Sequence, residues 1–152
     1  MARIKYAYKP KEEMSTAKAT GYEMPISFKH AVEICRAIKG KKVHEAKKYL
    51  EEVVALKRVV PFKRHKKKVA HKNIESWYAG RYPQKAASYI LKVLENLEAN
   101  AEYKGLDTEK LVIVYAQAQK GRVIRRYIPR AFGRATPRYQ YLTTVQMIAE
   151  VR

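Results

Sequence analysis

Apolar positions follow two different periods along this chain, and the change between them predicts its elements. From residue 28 the spacing is helical: Phe28, Ala31, Val32, Cys35 and Ile38 recur at steps of three and four. Ser27 precedes them as an N-cap residue and Gly40 follows as a stop. In VHEAKKYLEEVVALKR, Val43, Ala46, Leu50 and Val53 form one stripe, which predicts a second helix fading near Lys57. Ala87, Ile90, Leu91, Leu94, Leu97 and Ala101 predict a third. Pro83 suits its first turn, and Gly105 followed by Leu106 suits its end.

After Asp107 the period becomes that of strands. LVIVYAQAQ, 111–119, is rich in β-branched and aliphatic residues, and TTVQMIAEV places Val145, Met147, Ala149 and Val151 on one face. AKATGYEM, 17–24, predicts a further short strand. Two strands flanking a Pro- and Gly-punctuated stretch predict a long antiparallel hairpin, with a protruding arm and tip over 119–141. Ten steps from Gln119 to Pro129 reach about 33 Å at ~3.3 Å per residue.

Charge changes the picture from fold to partner. The 152 residues hold 33 Lys+Arg against 14 Asp+Glu, a formal charge of +19, while 47% of the chain is hydrophobic. That composition predicts a single domain, 1–152, with a real core and a polyanionic partner. A membrane partner is disfavoured, because no apolar run approaches about 18 residues. Cys35, the sole cysteine, cannot form an internal disulfide and falls on an apolar stripe. The N-terminal stretch has no apolar core of signal-peptide length, so the chain reads as cytoplasmic.

The cations are of two kinds. Between 57 and 72 lie Lys57, Arg58, Lys63, Arg64, Lys66, Lys67, Lys68 and Lys72 with no acid among them. With the aromatic stretch through Arg81, this predicts a basic loop, 57–82, that orders on binding. Between Lys120 and Arg138 there are seven basic residues, six of them Arg, and again no acid. Arg122, Arg126, Arg130, Arg134 and Arg138 fall four apart, which in an extended chain is one face. The turn is expected to break that register near Arg130 to Arg134, so that the guanidiniums fan outward. Arginine holds phosphate through a planar fork, whereas lysine acts as a point charge. Ile128, Ala131, Phe132 and Ala135 would be costly to leave in water at a protruding tip. Tyr127, Tyr139 and Tyr141 offer surfaces for stacking on bases, although strand propensity alone accounts for tyrosines such as Tyr115. Residues 1–14 predict an extended arm, with Tyr6 and Tyr8 between Lys5 and Lys9.

Catalytic chemistry finds no support. His30, His44, His65 and His71 are scattered without Cys or carboxylate partners at ligand spacing, so no metal is expected. Glu51 and Glu52 are adjacent on a helix and point apart. No Gly-rich phosphate loop occurs, and no cofactor is expected. A chromatin-like DNA-binding protein would use the same cations, but no helix pair offers a basic recognition face. For an RNA-modifying enzyme no residue stands out to carry a step.

Three segments carry a resemblance. SFKHAVEICRAIKGKKVHEAKKYL, ILKVLENLEANAEYKGLD and IPRAFGRA, in that order, resemble the first two helices, the third helix with its exit turn, and the hairpin tip of the large ribosomal subunit protein twenty-two family. The resemblance spans roughly residues 15–151. Segment 57–82 is similar to an insertion of archaeal and eukaryotic-type members. Where the family often has His or Asp before the last strand, this chain has Thr144.

The resemblance implies an α+β fold, three helices packed on a small antiparallel sheet with the long hairpin protruding. It implies no enzyme but a structural constituent of the large subunit, bridging several domains of its rRNA. It also implies that the hairpin lines the nascent-peptide exit tunnel, with neighbouring ribosomal proteins and the nascent polypeptide as partners. Expected rRNA contacts are Lys5, Lys9, Ser27, Lys29, Lys41, Lys42, Lys57, Arg58, Lys63, Arg64, Lys66, Lys67, Lys68, Lys72, Arg81, Lys120, Arg122, Arg125, Arg126 and Arg138. The expected tunnel tip is Ile128, Pro129, Arg130, Ala131, Phe132, Gly133, Arg134 and Ala135.

Overall fold

A computed structural model describes residues 5–10, 12–74 and 77–151. Its elements run β1 (Thr16–Met24), α1 (Phe28–Ile38), α2 (Val43–Val54), β2 (Val60–Pro61), β3 (His71–Ile74), β4 (Trp77–Arg81), α3 (Gln84–Tyr103), a 3-10 turn (Thr108–Lys110), β5 (Leu111–Ile124), β6 (Tyr127–Pro129), β7 (Ala135–Pro137) and β8 (Gln140–Val151). The three expected helices and the strands at both ends of the chain are therefore present. The fold is α+β.

The main sheet is antiparallel in the order β1-β8-β5. On one face Ala17, Ala19, Leu111, Ile113, Val145, Met147 and Ala149 are buried against Ile34, Ile38, Leu50, Ile90, Leu94 and Leu97 from the helices. Removing such side chains from water is the main source of stability, at roughly 1.5–3 kcal/mol for each Val, Leu, Ile or Met and less for each Ala.

The other face departs from expectation. β8 is buried without interruption from Leu142 to Ala149, not on alternate residues. The cause is the described part of the arm, 5–10, which lies across the back of the sheet. Gln146 Nε2 donates to the Lys5 carbonyl (2.9 Å), Thr20 Oγ1 donates to Tyr6 Oη (2.8 Å), and Tyr8 stacks on Tyr115 with centroids 5.5 Å apart. Residues 1–4 and 11 of the expected arm lie outside the described residues.

Segment 57–82 also differs: it carries a small sheet in the order β2-β4-β3 where a loop was expected. Positions 75 and 76 are outside the described residues. Its lysines hid the period of two, but Val60, Phe62 and Ala79 are buried and supply an apolar anchor. The second anchor is polar. Glu33, fully buried on α1, accepts the backbone N–H groups of Lys63 (3.0 Å), Arg64 (2.9 Å) and His65 (2.7 Å). Trp77 Nε1 adds a bond to the Phe62 carbonyl (3.0 Å).

Local signals at the helix ends behave unequally. Ser27 occupies the N-cap position of α1, yet its side chain makes no capping bond. Gly105 (φ +69°) and Leu106 close α3 by donating to the Glu102 and Ala101 carbonyls at 2.9 and 3.0 Å, a Schellman pair. Gly40 takes φ +85° and donates to the Ile113 carbonyl (2.8 Å), while Ile113 donates to the Lys41 carbonyl (2.9 Å). The α1–α2 turn is thereby fastened to β5. A Cβ at Gly40 would meet nothing within 4 Å, so Gly40→Ala tests backbone strain alone. We expect a loss of roughly 1 kcal/mol in urea denaturation. A loss above about 3 kcal/mol would show that the turn does more than set φ.

Candidate nucleic-acid interface

The ribbon β6/β7 extends the β5/β8 pair, and every residue from 125 to 141 is exposed. Tyr127 pairs with Pro137, Ile128 with Thr136 and Pro129 with Ala135. Arg138 N–H donates to the Arg126 carbonyl (2.6 Å) and Arg130 N–H to the Arg134 carbonyl (2.8 Å). Arg126 thus opposes Arg138, and Arg130 opposes Arg134. By alternation these four share one ribbon face with Ile128 and Thr136. The register survives up to the turn rather than breaking at Arg130–Arg134. Ala131, Phe132 and Gly133 alone form the bend, with φ +58° at Phe132 and +64° at Gly133. Phe132 is 96% exposed. On the opposite ribbon face Tyr127 meets Tyr139 edge-on at 6.1 Å.

Arg122 does not join the four. A β-bulge between Lys120 and Val123 shifts the register, and Arg122 pairs bidentately with Glu23 (3.3 and 3.1 Å). The acid-free stretch therefore finds its carboxylate 99 residues away in sequence. Glu23 sits at φ +45°, and its N–H donates to Thr144 Oγ1 (3.3 Å). Thr144 accordingly lies inside β8, not before it, because the β5–β8 ladder begins at Gln140. Arg122 keeps 72% of its side chain exposed, so an outer edge remains for a partner. Lys120 Nζ stands 5.5 Å from the Phe28 ring, and Arg125 is exposed.

The second surface is the 57–82 unit. Trp77 and Tyr78 stack at 5.0 Å, with His71 edge-on to Tyr78. Lys63 and Lys66 lie 5.8 and 5.7 Å from the Trp77 ring, and Lys72 lies 5.6 Å from Tyr82. Arg81 donates to the Lys68 carbonyl (3.3 Å). Arg64, Lys66, Lys67 and Lys68 are exposed, as is Lys57. Arg58 is partly spent: it pairs with Glu52 (3.0 Å) and covers Tyr49 at 4.9 Å. Burial pushes the Tyr49 hydroxyl up to about 12, against the opposing pull of Arg58. Lys41 covers Tyr49 at 5.0 Å, and Lys42 is the N-cap residue of α2. Ser27 and Lys29 are exposed at the start of α1, and Lys5 and Lys9 on the arm.

The structure thus gathers many of the expected cations into two groups, the hairpin ribbon and the 57–82 unit, and leaves Lys5, Lys9, Lys29, Lys41 and Lys42 on the arm and around the first two helices. Sequence reasoning missed Glu33, the Arg122–Glu23 pair and the aromatic platform. Glu33 left one trace, as the only acid in FKHAVEICRAI. Burial raises the Cys35 thiol to about 12, which keeps it a core residue and not a nucleophile. Among the described residues no His, Cys, Asp and Glu group could hold a metal.

Cations on a two-stranded ribbon and beside stacked aromatics define a surface suited to a polyanionic partner. The sequence pattern of the family described as Ribosomal protein L22p/L17e matches residues 19–150. The chain is 76% identical to the large ribosomal subunit protein uL22 of Archaeoglobus fulgidus, over 100% of this chain and 99% of that one. It is 53% identical to the proteins of the same name from Methanothrix thermoacetophila, with 100% of both covered, and Methanocaldococcus jannaschii, with 99% and 96% covered. The chain belongs to the ribosomal protein L22p/L17e family and is of the archaeal type.

Proposed function

We propose that this chain is a cytoplasmic structural constituent of the large ribosomal subunit that joins separate rRNA regions. The observation that carries this reading is the ribbon face of Arg126, Arg130, Arg134 and Arg138. Like charges directly opposite on a sheet destabilise it, so four arginines in two cross-strand pairs suit a ribbon that lies against phosphates. The 57–82 unit supplies a second, aromatic and lysine-rich contact, suited to unpaired bases and backbone. The relatives' name, large ribosomal subunit protein, supports the assembly.

We further infer that the hairpin tip, Ile128 to Ala135, lines the nascent-peptide exit tunnel. The family resemblance of IPRAFGRA and the exposure of Phe132 support this placement. Neighbouring ribosomal proteins and the nascent polypeptide are then its partners at the wall. RNA crosslinking in purified large subunits tests the bridging. We expect crosslinks from 57–72 and from 122–138 to map to separate rRNA regions. A single shared region would exclude bridging.

A further inference from the structure

Between α1 and the segment that Glu33 holds lies a cavity of about 360 Å³. Lys29, Arg64, Lys66, Lys67 and Arg81 line it, and no carboxylate among the described residues does. Glu33 is committed to the amides of residues 63–65. Five cations around one hollow repel each other unless an anion enters.

The remaining wall is formed by His30, Phe62, His65 and Val69. His30 meets the Phe62 ring edge-on at 5.5 Å, and Arg81 lies 6.0 Å from the same ring. Burial, and then the charge of Arg81, lower the His30 pKa, so its imidazole is neutral rather than a sixth cation. His65 packs edge-on to Phe28, and its Nε2 is buried without a hydrogen-bond partner among the described residues. A polar group entering the cavity would offer that nitrogen a partner.

A cationic rim over an aromatic wall matches the two halves of a nucleotide. A base inside an A-form stack cannot enter a hollow, whereas one turned out of the helix can. We propose that this cavity receives one unpaired nucleotide looped out of an RNA helix. Its phosphate lies among Arg64, Lys67 and Arg81, and its base rests on the half-buried His30 ring, which the buried Phe62 backs edge-on. The proposal rests on the RNA-binding reading above and adds a ligand to the 57–82 unit.

The test compares three probes on the full chain at matched salt: a fully paired RNA duplex, the same duplex with one bulged adenosine, and adenosine monophosphate. The unsubstituted protein should bind the bulged duplex about tenfold more tightly than the paired one. Lys67→Glu, and separately Lys67→Ala with Arg81→Ala, should bring that ratio close to one. Lys67 is exposed, so Lys67→Glu should leave the melting temperature unchanged. Arg130→Ala with Arg134→Ala should weaken both duplexes alike and keep the ratio. A ratio near one in the unsubstituted protein, or one that survives the cavity substitutions, overturns the proposal. So does adenosine monophosphate binding as tightly as the bulged duplex, which would make this a free-nucleotide site. Failure of the protein to bind either duplex would instead sink the RNA-binding reading, and this proposal with it.

Discussion

Replacing Arg126, Arg130 and Arg134 with alanine should weaken association with rRNA on the order of a thousandfold while leaving folding stability unchanged or slightly higher. The first half follows from three charge-assisted contacts at roughly 1.5 kcal/mol each, with tenfold in affinity per 1.4 kcal/mol. The salt dependence should also flatten, by about 0.7–0.9 in log–log slope per phosphate contact removed. The second half follows from the register. Arg126 faces Arg138 and Arg130 faces Arg134, so each substitution relieves a like-charge pair in the free protein. Both halves are read on one preparation, by RNA titration at several salt concentrations and by urea denaturation. Normal entry of the triple variant into large subunits, with unchanged rRNA footprints, would remove the hairpin from the interface.

Glu33→Ala should cost about 3–5 kcal/mol of stability, the largest effect expected of any single substitution here. The change strips a fully buried acceptor from three backbone donors at 2.7–3.0 Å and leaves a cavity in its place. Glu33→Gln should cost less, because its amide oxygen still accepts, but its NH2 group faces donors. Hydrogen exchange locates the effect: the amides of Lys63, Arg64 and His65 should lose protection in both variants, with the β5–β8 ladder affected much less. A loss for Glu33→Ala below about 1 kcal/mol would mean that Val60, Phe62 and Ala79 hold the 57–82 unit unaided. RNA binding by this variant separates the two surfaces, since the hairpin ribbon should keep its share of the affinity.

These two substitutions also mark how far the sequence could be read. The helices were legible because Ala46, Leu50 and Val53, or Ile90, Leu94 and Leu97, repeat on one stripe, and a stripe needs no knowledge of its partner. The closing turn at Gly105–Leu106 was legible because φ > 0 and a returning apolar residue are local requirements. The arginine face was legible as spacing, and the cross-strand pairing followed once the turn was known to be three residues long. What escaped depends on distant residues. Glu23 and Arg122 are 99 positions apart, and a bulge sets their meeting. Strands β2 to β4 were hidden because they are only two to five residues long and the lysines of the β2–β3 connection dominate the segment. The even burial of β8 depends on Tyr8 and Lys5, from the other end of the chain, covering its back. In each case the local pattern was present, but the partner that gave it meaning was not.

The strand order carries a consequence in time. β8 is the last element in the chain and the middle strand of the sheet, and β1 and β5 are each paired to it and not to one another. During synthesis, α1, α2 and α3 emerge before the strand that completes the surface they pack on. Until residues 140–151 are available, Ala17 and Ala19 on one side and Leu111 and Ile113 on the other have no shared sheet. Closure can then spread as a zipper from the hairpin bend, because β5 and β8 are joined through it. The bend is therefore also the point from which the core can be drawn shut. A particle that captures the arginine ribbon early would hold the zipper's first teeth in register.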